Sequence, residues 1–354
     1  MSEPLVNKEQ FRLFLFNLPK TEIHLHLEGL ATIDTVWALI QRNKLNINGI
    51  KTIEDLRAHF NINSLEEFLS LYMNIIQNSF KTEDDLKYLI RDMERYLISN
   101  NIFYAEVFFA PSKFLQNGFD FAKMMAILDG GTKSIARDHH IYVKYLIDVS
   151  RSFGVDNAMH NLDLICKHRI RSIIGIGLGG SEIQGPAKDF VPVFEKARQM
   201  GLKTVAHAGE DVGPYSIWDA ILLLGAQRIG HGTSAIKDPK LMEYLEEKQI
   251  PIEICPTSNI VTKKYVQTLN EHPIRAFFSH GLNVTLNTDD PTLFGTQLVG
   301  EYMNLIYNDL FSPGEILKIV KNTHFATFMS ESEKETSWKT IQAAIDKSPF
   351  SISG

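Results

Sequence analysis

Cysteine is scarce in this chain. Only Cys166 and Cys255 occur in 354 residues, so no disulfide framework can staple the fold, and a reducing compartment, the cytoplasm, is the expectation. Long apolar runs are lacking too. None approaches the roughly 18 residues that a membrane-crossing helix needs. The first residues, "MSEPLVNKEQFRLFLFNLPK", show no basic region followed by an apolar stretch and a small-residue cleavage site, and no signal peptide is expected. Basic charge is not in excess: 36 Lys and Arg stand against 42 Asp and Glu, a net charge of −6. A nucleic-acid backbone or an anionic membrane surface is therefore not the expected partner. Low-complexity tracts and long Gly, Pro or Ser linkers are absent, and no composition break marks a boundary. One domain over 1–354 is the expectation.

What is present is a series of short runs rich in β-branched and aromatic residues. They are "TEIHLHL" (21–27), "FYAEVFFA" (103–110), "YVKYLIDV" (142–149), "RSIIGIGLG" (171–179), "LKTVAHAG" (202–209), "QRIGHG" (227–232), "PIEICP" (251–256) and "NVTLNTDD" (283–290). Amphipathic stretches such as "DFVPVFEKARQM" and "PKLMEYLEEKQ" lie between them. Strands alternating with helices predict a parallel sheet, and eight such units in one domain predict a (β/α)8 TIM barrel. A doubly wound sheet is the alternative, but the Gly-x-Gly-x-x-Gly turn that usually follows its first strand is missing. The segment 30–102 is long and helical in pattern, which suits a lid inserted after the first strand. In "SPGE" (312–315), Ser312, Pro313 and Glu315 read as a helix start with a capping box.

"TEIHLHLEG" (21–29) alternates strictly. On a strand, His24, His26 and Glu28 would share one face and Ile23, Leu25 and Leu27 the other. This pattern alone fits either a wet sheet face or a pair of metal-ligating imidazoles. The strand ends weigh the choice. A barrel gathers its site at the C-terminal ends of its strands, and four of these end in acids or imidazoles: His24 and His26, then His207 and Glu210, then His231, then Asp289 and Asp290. Neutral imidazoles, a ligating carboxylate and further carboxylates for proton transfer are what a metal-assisted hydrolase requires.

"PKTEIHLHLEG", "VAHAGE", "RIGHG", "ICPTSN" and "LNTDDP", in that order, resemble the adenosine deaminase family of the amidohydrolase superfamily, from about Pro19 to Phe328. The resemblance implies a (β/α)8 barrel with one zinc ion per chain, held by His24, His26, His207 and Asp289. It implies Glu210 as proton donor to purine N1 and His231 as the group that holds and deprotonates the attacking water. Asp290 would meet N7, the Gly180 backbone N3, and Leu65, Phe68 and Leu69 would gate the pocket. The implied reaction is hydrolysis of the purine 6-amino group, of adenosine or 2′-deoxyadenosine in the first instance. Glu28 stands where adenosine enzymes carry Asp, and Phe108 where they commonly carry Arg; both resemble the adenine-specific branch. The glycine-rich "GLGGSE" (177–182) resembles members acting on aminodeoxyfutalosine. A binuclear amidohydrolase would bridge its metals with a strand-four lysine, which "RSIIGIGLG" lacks, and the cytidine-deaminase signature is also missing.

Overall fold

A computed structural model describes residues 7–262 and 264–352. Eight parallel strands form one sheet in sequence order. They are β1 (Lys20–His26), β2 (Ile102–Phe109), β3 (Tyr142–Asp148), β4 (Ile173–Gly177), β5 (Lys203–Ala208), β6 (Arg228–His231), β7 (Ile252–Ile254) and β8 (Val284–Leu286). All eight fall within or beside the predicted runs, and helices such as Val191–Gln199 and Pro239–Lys248 occupy the amphipathic stretches between them. This is the (β/α)8 TIM barrel. The Ser312 cap and its box with Glu315 form as read.

The barrel closes through residues that follow β8. Asp289 N–H donates to the His24 carbonyl at 3.1 Å, and His26 N–H donates to the Asp289 carbonyl at 2.8 Å. The Asn287 side chain completes the seam by accepting from the Ile23 and His24 amides at 3.1 and 3.2 Å. The seam thus fixes β1 against the "NTDD" run, and the two richest sequence motifs are forced together by backbone hydrogen bonds.

The main apolar core lies between the strands and the helices, where Leu25, Val107, Ile147 and Ile254 are fully buried. Inside the barrel, Phe108, Leu146 and Val205 form a separate small cluster. Much of the remaining barrel lining is charged. The Arg228 guanidinium lies 2.6 Å from Glu106 Oε2 and 2.6 Å from Glu253 Oε1, with all three side chains at 1% exposure or less. A buried cation is tolerated only with such pairing.

The segment between β1 and β2 is helical, as expected. It contains helices at Ile33–Arg42, Ile53–His59, Leu65–Ser70 and Leu86–Ser99. Leu65–Ser70 continues into a π-helical turn, Leu71–Ile76, in which Gln77 N–H reaches the Tyr72 carbonyl five residues back. Wider turns of this kind recur at functional sites. Here the turn aligns Gln77 with Tyr72 on the pocket face, while Ile76 is buried in the core.

Candidate active site

β1 runs only to His26. Leu27 takes helical dihedrals (φ −60°, ψ −44°) and Glu28 opens a 3-10 turn. The expected shared face of His24, His26 and Glu28 therefore holds only for the two histidines. Glu28 turns away into full burial, where Oε1 accepts from Gln77 Nε2 at 3.2 Å and from the Ala110 amide at 3.1 Å. Burial raises its carboxyl to about 7, with the Tyr72 phenol beside it. The next residue, Gly29, touches Asp290: a Cβ there would meet Asp290 Oδ1 at 2.0 Å.

The other predicted residues come together. His24, His26, His207 and Asp289 each offer a ligand atom, and these four atoms lie within 4.8 Å of one another, all on buried side chains. His26 Nε2 is 3.3 Å from His207 Nε2 and 3.3 Å from Asp289 Oδ1, and His24 Nε2 is 3.4 Å from the same oxygen. Two ligands on one zinc ion at ~2.0–2.1 Å and a tetrahedral angle stand about 3.3–3.4 Å apart. The donor set supports the same fit. His24 Nδ1 is 2.7 Å from Glu253 Oε2, a contact that places the ring proton on Nδ1 and leaves Nε2 as an unpartnered buried acceptor. Converging lone pairs in a buried space call for a cation, and these residues can hold one.

Phe108 is the floor of this cluster. Its ring stacks on His26 (5.0 Å, 21°) and touches His24 and His207 at 5.1 and 5.6 Å. The ring packs under the imidazoles, and Phe108 is not among the residues that line the pocket above them. Asp289 and His231 both have positive φ, 66° and 62°, a region that Asp and His tolerate better than most side chains. These bends turn both side chains into the barrel mouth.

Around the cluster lie the acids. Glu210 Oε2 is 3.4 Å from His231 Nε2. Burial, reinforced by Asp289, Glu182 and Asp211, pushes the Glu210 carboxyl well above the usual carboxylate range. Its backbone is fixed by Glu182, whose carboxylate accepts from the amides of Gly209, Glu210 and Asp211 at 2.8–3.0 Å and from the Ser216 hydroxyl. Burial and the neighbouring Asp289 likewise raise Asp290, and Asp290 Oδ1 has no partner. Ser258 Oγ donates to Asp289 Oδ2 at 2.7 Å. On the far side of His231, Asn259 Nδ2 lies 3.0 Å from Nδ1, and Asn259 Oδ1 lies 3.2 Å from His272 Nε2.

A pocket of about 690 Å³ opens from this cluster. His26, Gly180, His207, Glu210, His231, Asp289 and Asp290 line it, with Leu65, Phe68 and Leu69 as one wall. Phe68 stacks on Phe294 at 5.2 Å across the mouth. Gly180 has φ 91°, and a Cβ would meet Ser152 Oγ at 2.9 Å, so the backbone approaches the pocket only as glycine. The pocket continues into an outer cleft of about 1730 Å³ past Leu69, Met73, Ser152 and Phe153, where Lys113, Gln184 and Lys264 stand. Among the described residues no helix is long and apolar enough to cross a membrane.

Several of these partners went unread in the sequence: Glu106, Glu253, Arg228, Glu182, Asn259, His272 and Tyr72. A signal existed for two of them. Glu106 in "YAEVFFA" and Glu253 in "PIEICP" are carboxylates inside apolar strands, which demands a buried counter-charge.

The adenosine deaminase family profile matches residues 19–344. An aminodeoxyfutalosine deaminase of Streptomyces avermitilis is 35% identical over 91% of this chain and 89% of its own. An adenosine deaminase of Shewanella loihica is 32% identical over 90% of this chain and 97% of its own. The crystal structure of an adenine deaminase from Arthrobacter aurescens superposes with a TM-score of 0.88 at 26% identity, over 93% of this chain and 99% of that one. With this match across nearly its whole length, the chain belongs to the adenosine deaminase family, the purine deaminases of the amidohydrolase superfamily.

Proposed function

We propose that this protein hydrolyses the 6-amino group of an adenine nucleoside, adenosine, 2′-deoxyadenosine or a 5′-modified adenosine, to the 6-oxo product and ammonia. The observation that carries the reading is the convergence of His24, His26, His207 and Asp289 beneath a pocket rimmed by Glu210 and His231. These four residues would hold one zinc ion per chain. Zinc would supply Lewis acidity that lowers the pKa of a bound water to about 7.

The chain's own residues do the rest. Glu210, protonated through burial, stands on the pocket wall and gives its proton to purine N1, so negative charge does not build up on the ring during attack at C6. Asp290, also protonated, donates to N7 with the oxygen that has no protein partner. Gly180 brings its backbone to N3. In this reading Leu65, Phe68 and Leu69 cover the base and exclude water, as part of a lid drawn from the segment 30–102.

Two observations favour the nucleoside over free adenine. The base pocket continues into a larger outer cleft with room for a sugar and its substituent, and Glu28 is pinned by Gln77 and Ala110 and fully buried, so it does not project into that space. Adenine is the second reading, supported by the Glu28 match and by the 26% identical adenine deaminase fold. Ultraviolet assays of the metal-loaded protein on adenosine, aminodeoxyfutalosine and adenine test the choice. A higher kcat/KM on either nucleoside is expected; a higher value on adenine than on every nucleoside overturns it.

A further inference from the structure

His231 Nε2 faces Glu210 and Asp289 at 3.4 and 4.0 Å, and Nδ1 faces Asn259. Which nitrogen carries the proton decides what His231 can do, and heavy-atom positions settle it only if one proton in the chain of contacts is already known. One is. The Ile274 backbone N–H donates to His272 Nδ1 at 3.0 Å. A backbone amide has no other role, so His272 Nδ1 is an acceptor. Burial holds His272 neutral, with its pKa down to about 3, and its proton is therefore on Nε2. That N–H donates to Asn259 Oδ1 at 3.2 Å, which fixes the orientation of the amide. The Asn259 NH2 then points at His231 Nδ1, 3.0 Å away. His231 Nδ1 is an acceptor, and the proton of the neutral ring is on Nε2. His231, Asn259 and His272 are 1%, 3% and 4% exposed, so water does not interrupt the sequence of bonds.

We propose that Asn259 and His272 are positioning residues that hold His231 as its Nε2–H tautomer, so that His231 offers the attacking oxygen a hydrogen bond rather than a lone pair. The proposal rests on the purine-deaminase reading of the site. It replaces the expectation that His231 deprotonates the water. As the oxygen–C6 bond forms, the proton leaving the water passes to the Asp289 carboxylate, whose Oδ2 stands 4.0 Å from His231 Nε2, and from there to the 6-amino nitrogen, which departs as ammonia when the C6–N bond breaks. The fixed N–H stabilises the negative charge that the attacking oxygen gains on the way. A donor already aimed at that charge needs no reorganisation, and removing one such donor costs on the order of 10²–10³-fold in kcat.

The test reads the tautomer directly. Long-range proton–nitrogen correlation spectra of metal-loaded protein labelled with nitrogen-15 histidine distinguish Nδ1–H from Nε2–H rings. His231 and His272 are both expected as Nε2–H; His231 found as Nδ1–H overturns the proposal without any variant. The second arm is Asn259→Asp, which keeps the shape but accepts on both oxygens. It still receives the His272 N–H and draws the His231 proton onto Nδ1. The expected result is a shifted His231 tautomer, unchanged metal content, KM within about threefold and kcat lower by roughly 10²-fold. A shifted tautomer with kcat unchanged or higher overturns the proposal, as does a lower kcat with the tautomer unmoved. The tautomer is read without substrate, so failure of the purine reading and failure of this one appear in different measurements.

Discussion

Glu253→Gln changes one atom and disturbs two partners. The Glu253 carboxylate bridges His24 Nδ1 at 2.7 Å and Arg228 Nε at 2.6 Å, and none of the three side chains is more than 1% exposed. Glutamine sets one oxygen and one NH2, and no charge, against the His24 N–H and the Arg228 cation, which Glu253 meets as an ion pair rather than through a hydrogen bond. If its oxygen faces Arg228, its NH2 confronts His24 Nδ1 and drives the ring proton to Nε2, the atom that lies 3.4 Å from Asp289 Oδ1 in the metal cluster. If its oxygen faces His24, its NH2 confronts the Arg228 N–H and leaves a buried guanidinium short of a partner. The first arrangement weakens metal binding. Losing the carboxylate behind a metal histidine costs about 10–100-fold in affinity, or ~1.4–2.7 kcal/mol. The second weakens the fold, because breaking one side of a buried ion pair costs about 3–5 kcal/mol. Arg228 keeps Glu106 at 2.6 Å, the Ala326 carbonyl at 2.9 Å and the Phe328 ring at 3.9 Å, which puts the stability loss at the lower end. The variant is to be measured by chelator competition for the metal and by urea unfolding of the metal-free protein. At least a tenfold weaker metal Kd, or a stability loss near 3 kcal/mol, is expected. A metal Kd within twofold of wild type together with an unchanged unfolding midpoint would refute the role given to Glu253.

Glu210→Gln is expected to retain metal and fold while kcat falls by about 10²–10⁴-fold, since glutamine has no proton for N1; steady-state kinetics beside metal analysis checks it, and a variant keeping a third of the wild-type rate sinks the assignment. Phe68→Ala removes the ring stacked on Phe294 and should raise KM by roughly 5- to 50-fold with a smaller change in kcat, about 1–2.3 kcal/mol of lost cover, read from initial rates. Glu301 is buried, accepts from Thr296 and Thr257, and burial raises its carboxyl from 4.5 to about 7. The folded state thus holds a proton that the unfolded state has released between these values, so this group makes stability fall as pH rises from about 4.5 to 7 and then level off. Glu301→Gln should flatten that decline by up to ~1.4 kcal/mol per pH unit in denaturant titrations at several pH values.

The strands were legible because each carries a β-branched run bounded by turn residues, and the metal histidines because they sit where such runs end. The error at Glu28 has a local cause. Alternation predicts a face only while the chain stays extended, and Leu27 has already turned helical. Phe108 drew notice only through its resemblance to the adenine branch; its ring packs under the imidazoles and does not line the pocket. The support around the site was hidden for another reason. His24 meets Glu253, Glu106 meets Arg228, and His231 meets Asn259 only after the barrel has closed. No short-range pattern encodes those pairs. What the sequence did carry was the oddity of charges inside apolar strands, a sign that each had a partner elsewhere.

The central claim is metal-dependent hydrolysis of the purine 6-amino group by the residues at the strand ends. It is tested most directly by stripping the metal with a chelator, adding zinc back in increments, and following ammonia release from adenosine and aminodeoxyfutalosine. No turnover is expected in the stripped protein and full recovery at one zinc per chain, with His207→Ala recovering none. Full activity without metal, recovery only at two ions per chain, or no ammonia from any purine at saturating zinc would contradict it.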